Sequence, residues 1–112
     1  MGCPIWARHR LAPTILFMVV GVCHINLSIP GVHSLKEKRH ALKSLTTRVR
    51  GSFNASMAEV GDNDVWQSAV IGVAVVGNER GFVNSVLDNI IDFIEGLKSL
   101  EIVSHEIEIM NY

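Results

Sequence analysis

The sequence contains few of the residues and motifs that carry familiar site chemistry. Its only two cysteines, Cys3 and Cys23, form no CxxC motif and no Cys/His cluster. Two cysteines are too few for a disulfide framework and fit a reducing compartment, so we expect a cytoplasmic protein without a structural zinc site. The chain also lacks the GxSxG, P-loop, HExxH and GxGxxG motifs. We therefore expect neither an enzyme nor a cofactor or metal site.

No hydrophobic run in the sequence is long enough to predict a membrane span. The apolar stretch 11–23 has 13 residues and contains Pro13, whereas a spanning helix needs about 20 residues. A secretory signal is the alternative interpretation, but no small-x-small cleavage site stands out. We expect residues 1–17 to be a loose extension or the product of an upstream start codon. Residues 18–112 are expected to form one domain with no membrane partner.

The net charge is close to zero, but the charged residues are distributed unevenly along the chain. Ten lysines and arginines against eleven acids give a net charge of −1. Residues 18–54 hold six bases and the single acid Glu37, whereas residues 55–112 hold ten acids and two bases. Such asymmetry between the two halves indicates a basic working surface on the first half.

Hydrophobic periodicity predicts six elements in the order β-α-β-β-α-β. The strands are expected at residues 18–29, 55–60, 66–76 and 102–110, and the helices at residues 35–51 and 79–97. Ser34 and Glu37 form a capping box that opens the first helix. This order is typical of the α+β, ferredoxin-like split β-α-β sandwich, in which two helices cover one face of a four-stranded antiparallel sheet.

The first predicted helix carries a stripe of basic residues. On a helical wheel the members of this basic stripe fall within a sector of about 60°. Glu37 is the only acid in the helix, so ion pairs between successive turns cannot neutralise the stripe. The stripe predicts a surface that contacts phosphates, and a solvated helix face is the alternative. Its members are Lys36, Arg39, Lys43 and Arg50, with Lys38 and Arg48 flanking them.

The sheet face opposite the helices is a second candidate surface. RNA-recognition motifs place stacking aromatics on the central strands of such a sheet, but here only Trp66 is available, at the very start of a strand. Base stacking on the sheet is therefore not expected. The exposed valines of this face instead favour a homo-oligomer that pairs through the open sheet and binds no nucleic acid. The predicted interface residues are Val20, Val22, His24, Val70 and Val76.

Three smaller features are expected to be structural. Cys23 and His24 are neighbours on a strand and therefore point to opposite faces, so they cannot share a metal ion. His33 precedes a helix N-terminus, where anions can bind, but the 30–34 loop is expected to be a connector. The sequence Asp62-Asn63-Asp64 lacks the glycine and distal glutamate of a calcium loop and is expected to be a turn.

Several stretches of the chain resemble the YlxP-like bacterial family of unknown function (domain of unknown function 503). They are Ser34-Leu35-Lys36-Glu37-Lys38-Arg39, Leu42-Lys43-Ser44-Leu45, residues 58–60, 64–67 and 72–76, and the opening Val20-Gly21-Val22. The resemblance covers about residues 18–109 and implies a small cytoplasmic ferredoxin-like domain without established catalytic residues. It also implies a family whose genes tend to lie beside those of translation initiation and ribosome maturation factors.

The stripe and the resemblance together predict a non-catalytic accessory protein that contacts structured RNA or the ribosome through its first helix. Phosphate contacts would provide the affinity, with little reading of bases and no DNA partner. The homo-oligomeric module remains the alternative prediction.

Overall fold

The computed structural model describes residues 18–112, so the expectation for residues 1–17 lies outside the described part. Six elements follow one another in the predicted order. The strands are β1 (Val19–Ser28), β2 (Ser56–Gly61), β3 (Ser68–Gly77) and β4 (Glu101–Asn111). The helices are α1 (Leu35–Ser52) and α2 (Arg80–Glu95).

The four strands form one antiparallel sheet in the order β2-β3-β1-β4. Alternate residues of β1 and β3 face the helices and are buried in a single core with the apolar sides of α1 and α2. The predicted α+β, ferredoxin-like sandwich with two helices on one sheet face is therefore confirmed. The central strands contribute Val19, Cys23, Ile25, Leu27, Ala69, Ile71, Val73 and Val75 to this core.

The predicted capping box opens α1. The Oγ atom of Ser34 accepts a hydrogen bond from the Glu37 N–H at 3.1 Å. Glu37 Oε2 in turn accepts a hydrogen bond from the N–H of His33 at 2.7 Å. The single acid of α1 is thus engaged at the helix N-terminus, where it also complements the helix dipole. Glu37 is therefore occupied at one end of the helix and does not neutralise the basic stripe.

Lys38 is buried, which corrects its predicted place beside the basic stripe. Its side chain is 1% exposed, and its Nζ atom lies 2.7 Å from Oε2 of Glu59 on β2. Nζ also donates to the backbone carbonyls of Asp62 and Val65, at 2.5 and 2.6 Å. An ammonium group has three N–H donors, and here it finds three oxygen partners inside the protein. Lys38 is therefore not available to an outside ligand.

Charge attraction dominates the contact between Lys38 and Glu59. Oε2 of Glu59 is buried and has no hydrogen-bond partner of regular geometry among residues 18–112. Its one close neighbour is the Lys38 ammonium. A carboxylate removed from water in this way depends on its counter-ion, so the two residues act as a unit.

The Lys38 contacts fix the loop between β2 and β3, here called the Trp66 loop (residues 62–67). Within the loop, the Val65 N–H donates to the Asp62 carbonyl at 3.0 Å, and the Ser68 hydroxyl donates to the Asp62 carboxylate at 2.8 Å. Asp62 adopts a φ of 58°, a left-handed conformation that aspartate tolerates better than most residues. The pairing of β3 with β1 ends at Ser68, opposite Ser28, so β3 begins at Ser68 and not at Trp66 as predicted.

Replacing Lys38 by methionine would keep most of the aliphatic volume and remove the cation that Glu59 needs. We expect the free energy of unfolding to fall by about 3 kcal/mol, at the low end for a broken buried pair, because Glu59 is 20% exposed. Urea denaturation would measure this loss. The matched change Lys36→Met, on the exposed side of α1, should stay within about 0.5 kcal/mol of wild type. Equal stabilities of the two variants would contradict a structural role for the ion pair.

Candidate functional site

The basic stripe lies on the solvent side of α1. All its members are exposed, and none forms an ion pair within residues 18–112. The stripe extends about 21 Å along the helix axis, long enough to follow several phosphates of a nucleic-acid strand. Its last member also donates a long, 3.5 Å hydrogen bond to the carbonyl of Met57 on β2. The members are Lys36, Arg39, Lys43 and Arg50.

Arg48 is exposed but lies about 120° around the helix from the nearest stripe residue. A surface depression of about 410 Å³ connects it to the stripe, lined by His40, Lys43, Ser44, Thr47 and Arg48. The Thr47 hydroxyl donates to the carbonyl of Lys43 at 2.9 Å and is thus engaged within the helix. With Arg48 included, α1 presents five exposed bases, here called the basic surface: Lys36, Arg39, Lys43, Arg48 and Arg50.

The second helix has the opposite charge. Phe53, just after α1, packs edge-to-face on Phe93 of α2 with ring centroids 5.8 Å apart, so the two helices are joined at this point. Basic and acidic surfaces therefore lie on the same side of the domain, and the resulting field would orient a polyanion toward α1. The exposed acids of α2 are Asp88, Asp92 and Glu95, and its one base is Arg80, at the first residue of the helix.

The five predicted interface residues lie together on the open face of the sheet. Across the β1–β3 pair, Val20 is opposite Val76, and Val70 is opposite Asn26. Val76 is 58% exposed, which is unusual for a valine in a central strand. The five residues are Val20, Val22, His24, Val70 and Val76.

His24 occupies the middle of the open face, opposite Gly72 on β3 and Glu106 on β4. A depression of about 210 Å³ lies beside His24 and is lined by Val22, Val60 and Gly72 among others. Cys23 precedes His24 on β1 and points into the core. The two side chains therefore lie on opposite faces of the sheet, as predicted for neighbouring residues of a strand. Within residues 18–112 no group of three His, Cys, Asp or Glu residues could hold a metal ion.

Trp66 is an exposed residue whose setting the sequence analysis missed. It was expected at the start of a strand, but it lies in the Trp66 loop with 49% of its surface exposed. The Gln67 side chain donates to the Val32 carbonyl at 3.2 Å, and the Ile29 N–H donates to the Gln67 carbonyl at 2.9 Å. These two bonds tie the Trp66 loop to the segment that leads into α1.

Comparison with known proteins identifies the family. Residues 20–107 match the family described as protein of unknown function (DUF503). The chain belongs to the DUF503 family. The uncharacterized protein YlxP of Bacillus subtilis (strain 168) is 35% identical over 83 residues, which cover 74% of this chain and 90% of that protein. The resemblance predicted from the sequence is therefore confirmed.

The DUF503 match spans the basic surface, the predicted interface residues and the Trp66 loop. Among solved structures, the de novo designed protein Foldit4 is similar with a TM-score of 0.45 and 14% identity, over 85% of this chain and 96% of that one. Within residues 18–112, neither helix has the length and apolar character that crossing a membrane requires.

The Cys23 thiol should be inert in the folded protein. It is 1% exposed, and burial raises the pKa of Cys23 to about 11 from an ordinary value of 9.0. Because the folded state holds the proton more tightly, the resulting stability is fully present below pH 9.0 and is lost as the pH rises toward about 11. In a Cys3→Ser background, iodoacetamide at neutral pH should label Cys23 only after denaturation. Fast labelling of the native protein would contradict this burial.

Proposed function

We propose that this DUF503 protein is a non-catalytic, cytoplasmic accessory protein that binds structured RNA or the ribosome through the basic surface of α1. The supporting observation is that five exposed bases on one helix have no ionic partner within residues 18–112. The only acid of that helix is engaged in the N-terminal cap. Unpaired cations of this kind neutralise phosphates and release the counterions bound to RNA, which provides affinity.

The placement of charge favours backbone contacts over base reading along the helix. Lysine contacts a phosphate as a point charge, whereas arginine can contact it with two parallel hydrogen bonds. Such contacts fix the position of a nucleic acid without reading its sequence. The acidic side of α2 would repel phosphates and so keep the RNA on α1.

Salt dependence tests the proposal directly. Fluorescence anisotropy with a structured ribosomal RNA fragment should show a loss of affinity on the order of 100-fold between about 50 and 200 mM salt, given about four phosphate contacts. The double variant Lys36→Glu/Lys43→Glu should weaken binding and reduce this loss to roughly tenfold, because two contacts are removed. Lys43→Glu and Lys98→Glu provide a matched pair of single variants with the same net charge, and only the first should weaken binding.

Two outcomes would reject RNA binding by the basic surface. One is the same affinity for wild type and Lys36→Glu/Lys43→Glu, and the other is no binding by wild type even at low salt. Equal weakening by Lys43→Glu and Lys98→Glu would show that net charge, and not the position of the stripe, governs binding.

A second candidate function is a homo-oligomeric interaction module that binds no nucleic acid. The observation that favours it is the alignment of Val20 with Val76 on the open sheet face, where Val76 is 58% exposed. A second copy of the chain that covered this face would remove these valines from water.

Sedimentation velocity tests the oligomer. Wild type should sediment as a dimer or larger species, and Val76→Glu should sediment as a monomer because it places a charge in the apolar contact. Val103→Glu is the matched control, since Val103 is an exposed valine beside the irregular pairing in β4 and lies outside the five-residue patch. A monomeric wild type at high protein concentration would exclude this function.

A further inference from the structure

We propose that Trp66 is a stacking platform for one unpaired nucleotide, so that the RNA bound by this domain carries a single-stranded residue beside a helical segment. The inference rests on the proposed RNA-binding function. It adds a base contact that lysines and arginines on α1 do not provide.

Trp66 is presented to solvent in a way that suits stacking. Trp66 is 49% exposed, and its neighbour Val65 is exposed as well. The two residues, with Asp64 and Gln67, line an open depression on the surface of the loop. Every base has a π-face, so an accessible indole ring can accept an unpaired base of any sequence.

The backbone on both sides of Trp66 is held in place before any ligand arrives. On one side, the Val65 carbonyl accepts a hydrogen bond from the buried Lys38 ammonium. On the other side, the Gln67 carbonyl accepts one from the Ile29 N–H. A ligand therefore does not have to order the loop, which removes one of the main entropic penalties of binding at a loop.

The loop lies at the N-terminal end of α1, where the basic surface begins. Lys38 joins the loop to the first turns of α1, and Gln67 joins it to Val32 just before the helix. Lys36, the first member of the stripe, lies between those two anchor points in the sequence. A strand whose terminal base stacks on Trp66 can therefore continue with its phosphates toward α1.

The charges of the two surfaces assign different parts of RNA to each. Asp64 is an exposed acid beside Trp66, so the loop disfavours a phosphate. A carboxylate can, however, accept hydrogen bonds from the amino groups of bases. The aromatic and acidic loop thus suits a base, and the basic helix suits the backbone. A protein ligand of the same two surfaces would need an apolar side chain against Trp66 and a strongly acidic segment against the bases of α1.

The number of nucleotides is limited by the rest of the surface. None of the four strands contains Phe, Tyr or Trp, and the imidazole ring of His24 lies in mid-sheet opposite Gly72, so the sheet offers no second large aromatic ring next to the Trp66 loop. One stacked nucleotide next to a duplex, as at an overhang or a bulge, is therefore the expected ligand. A long single strand would gain no further stacking contact.

The experiment compares two RNA hairpins with the same stem, one blunt and one with a single unpaired 3′ purine, by fluorescence anisotropy. Wild type should bind the overhang hairpin roughly tenfold more tightly, the scale of one base stacked on an aromatic ring. Trp66→Ala and Trp66→Leu should bind both hairpins equally, with the affinity for the blunt stem and its salt dependence unchanged. Trp66→Phe should retain most of the preference because it keeps a ring.

Two controls separate stacking from other effects. Phe82→Ala removes an exposed aromatic residue at the start of α2, beyond the opposite end of β3, and should leave the preference intact. In a Trp6→Phe background Trp66 is the only tryptophan, so quenching of its fluorescence by the overhang hairpin reports stacking directly.

The outcomes distinguish this inference from the function on which it rests. If Trp66→Ala and Trp66→Leu keep the preference while Lys36→Glu/Lys43→Glu loses affinity, the stacking platform is wrong and RNA binding by α1 stands. Equal losses on the blunt and overhang hairpins would also overturn a base-stacking role. If wild type binds neither hairpin, both proposals fail.

Discussion

The buried ammonium of Lys38 connects three parts of the domain: the helix α1, the strand β2 and the Trp66 loop. Removing a lysine from water is unfavourable unless oxygen atoms surround its charge, so the loop carbonyls have to face inward. This requirement gives the loop one backbone orientation and leaves Trp66 at the surface. It also removes one cation from the solvent side of α1. The conformation of the Trp66 loop therefore depends on a contact that is itself hidden from any ligand.

Much of the fold follows from the sequence because the periodicities of β1, β3 and the two helices leave only one way to bury their apolar residues. The observed bounds of every element agree with the predicted ones to within two residues. The pairing of Ser34 with Glu37 also predicted the start of α1: Ser34 accepts from the Glu37 N–H, and Glu37 reaches back to the N–H of His33, the residue before the cap. Local sequence patterns were sufficient to predict the type and bounds of a helix or strand wherever these depend on that element alone.

The candidate site was predicted less well because its details depend on contacts between elements. On the helical wheel Lys38 falls at about 300°, between Leu45 and Val49, so the apolar arc already contained it. Its charge argued for the surface, and only the approach of Glu59 from β2 makes burial favourable. The exposure of Trp66 depends in turn on that pair. Residue spacing within the Trp66 loop cannot predict a conformation that depends on hydrogen bonds from Lys38 of α1.

The interior position of β1 has a consequence for the synthesis of the protein. Val19 pairs with Gly77 on one side and with Asn111 on the other, so the first strand finds its partners only in the second half of the chain. At about 5–20 residues per second, this valine-rich segment leaves the ribosome seconds before either neighbour exists. The sheet closes only when translation of the domain is almost complete. Chains released early would therefore carry an unpaired apolar strand, and premature termination would yield aggregation-prone fragments and no partly working domain.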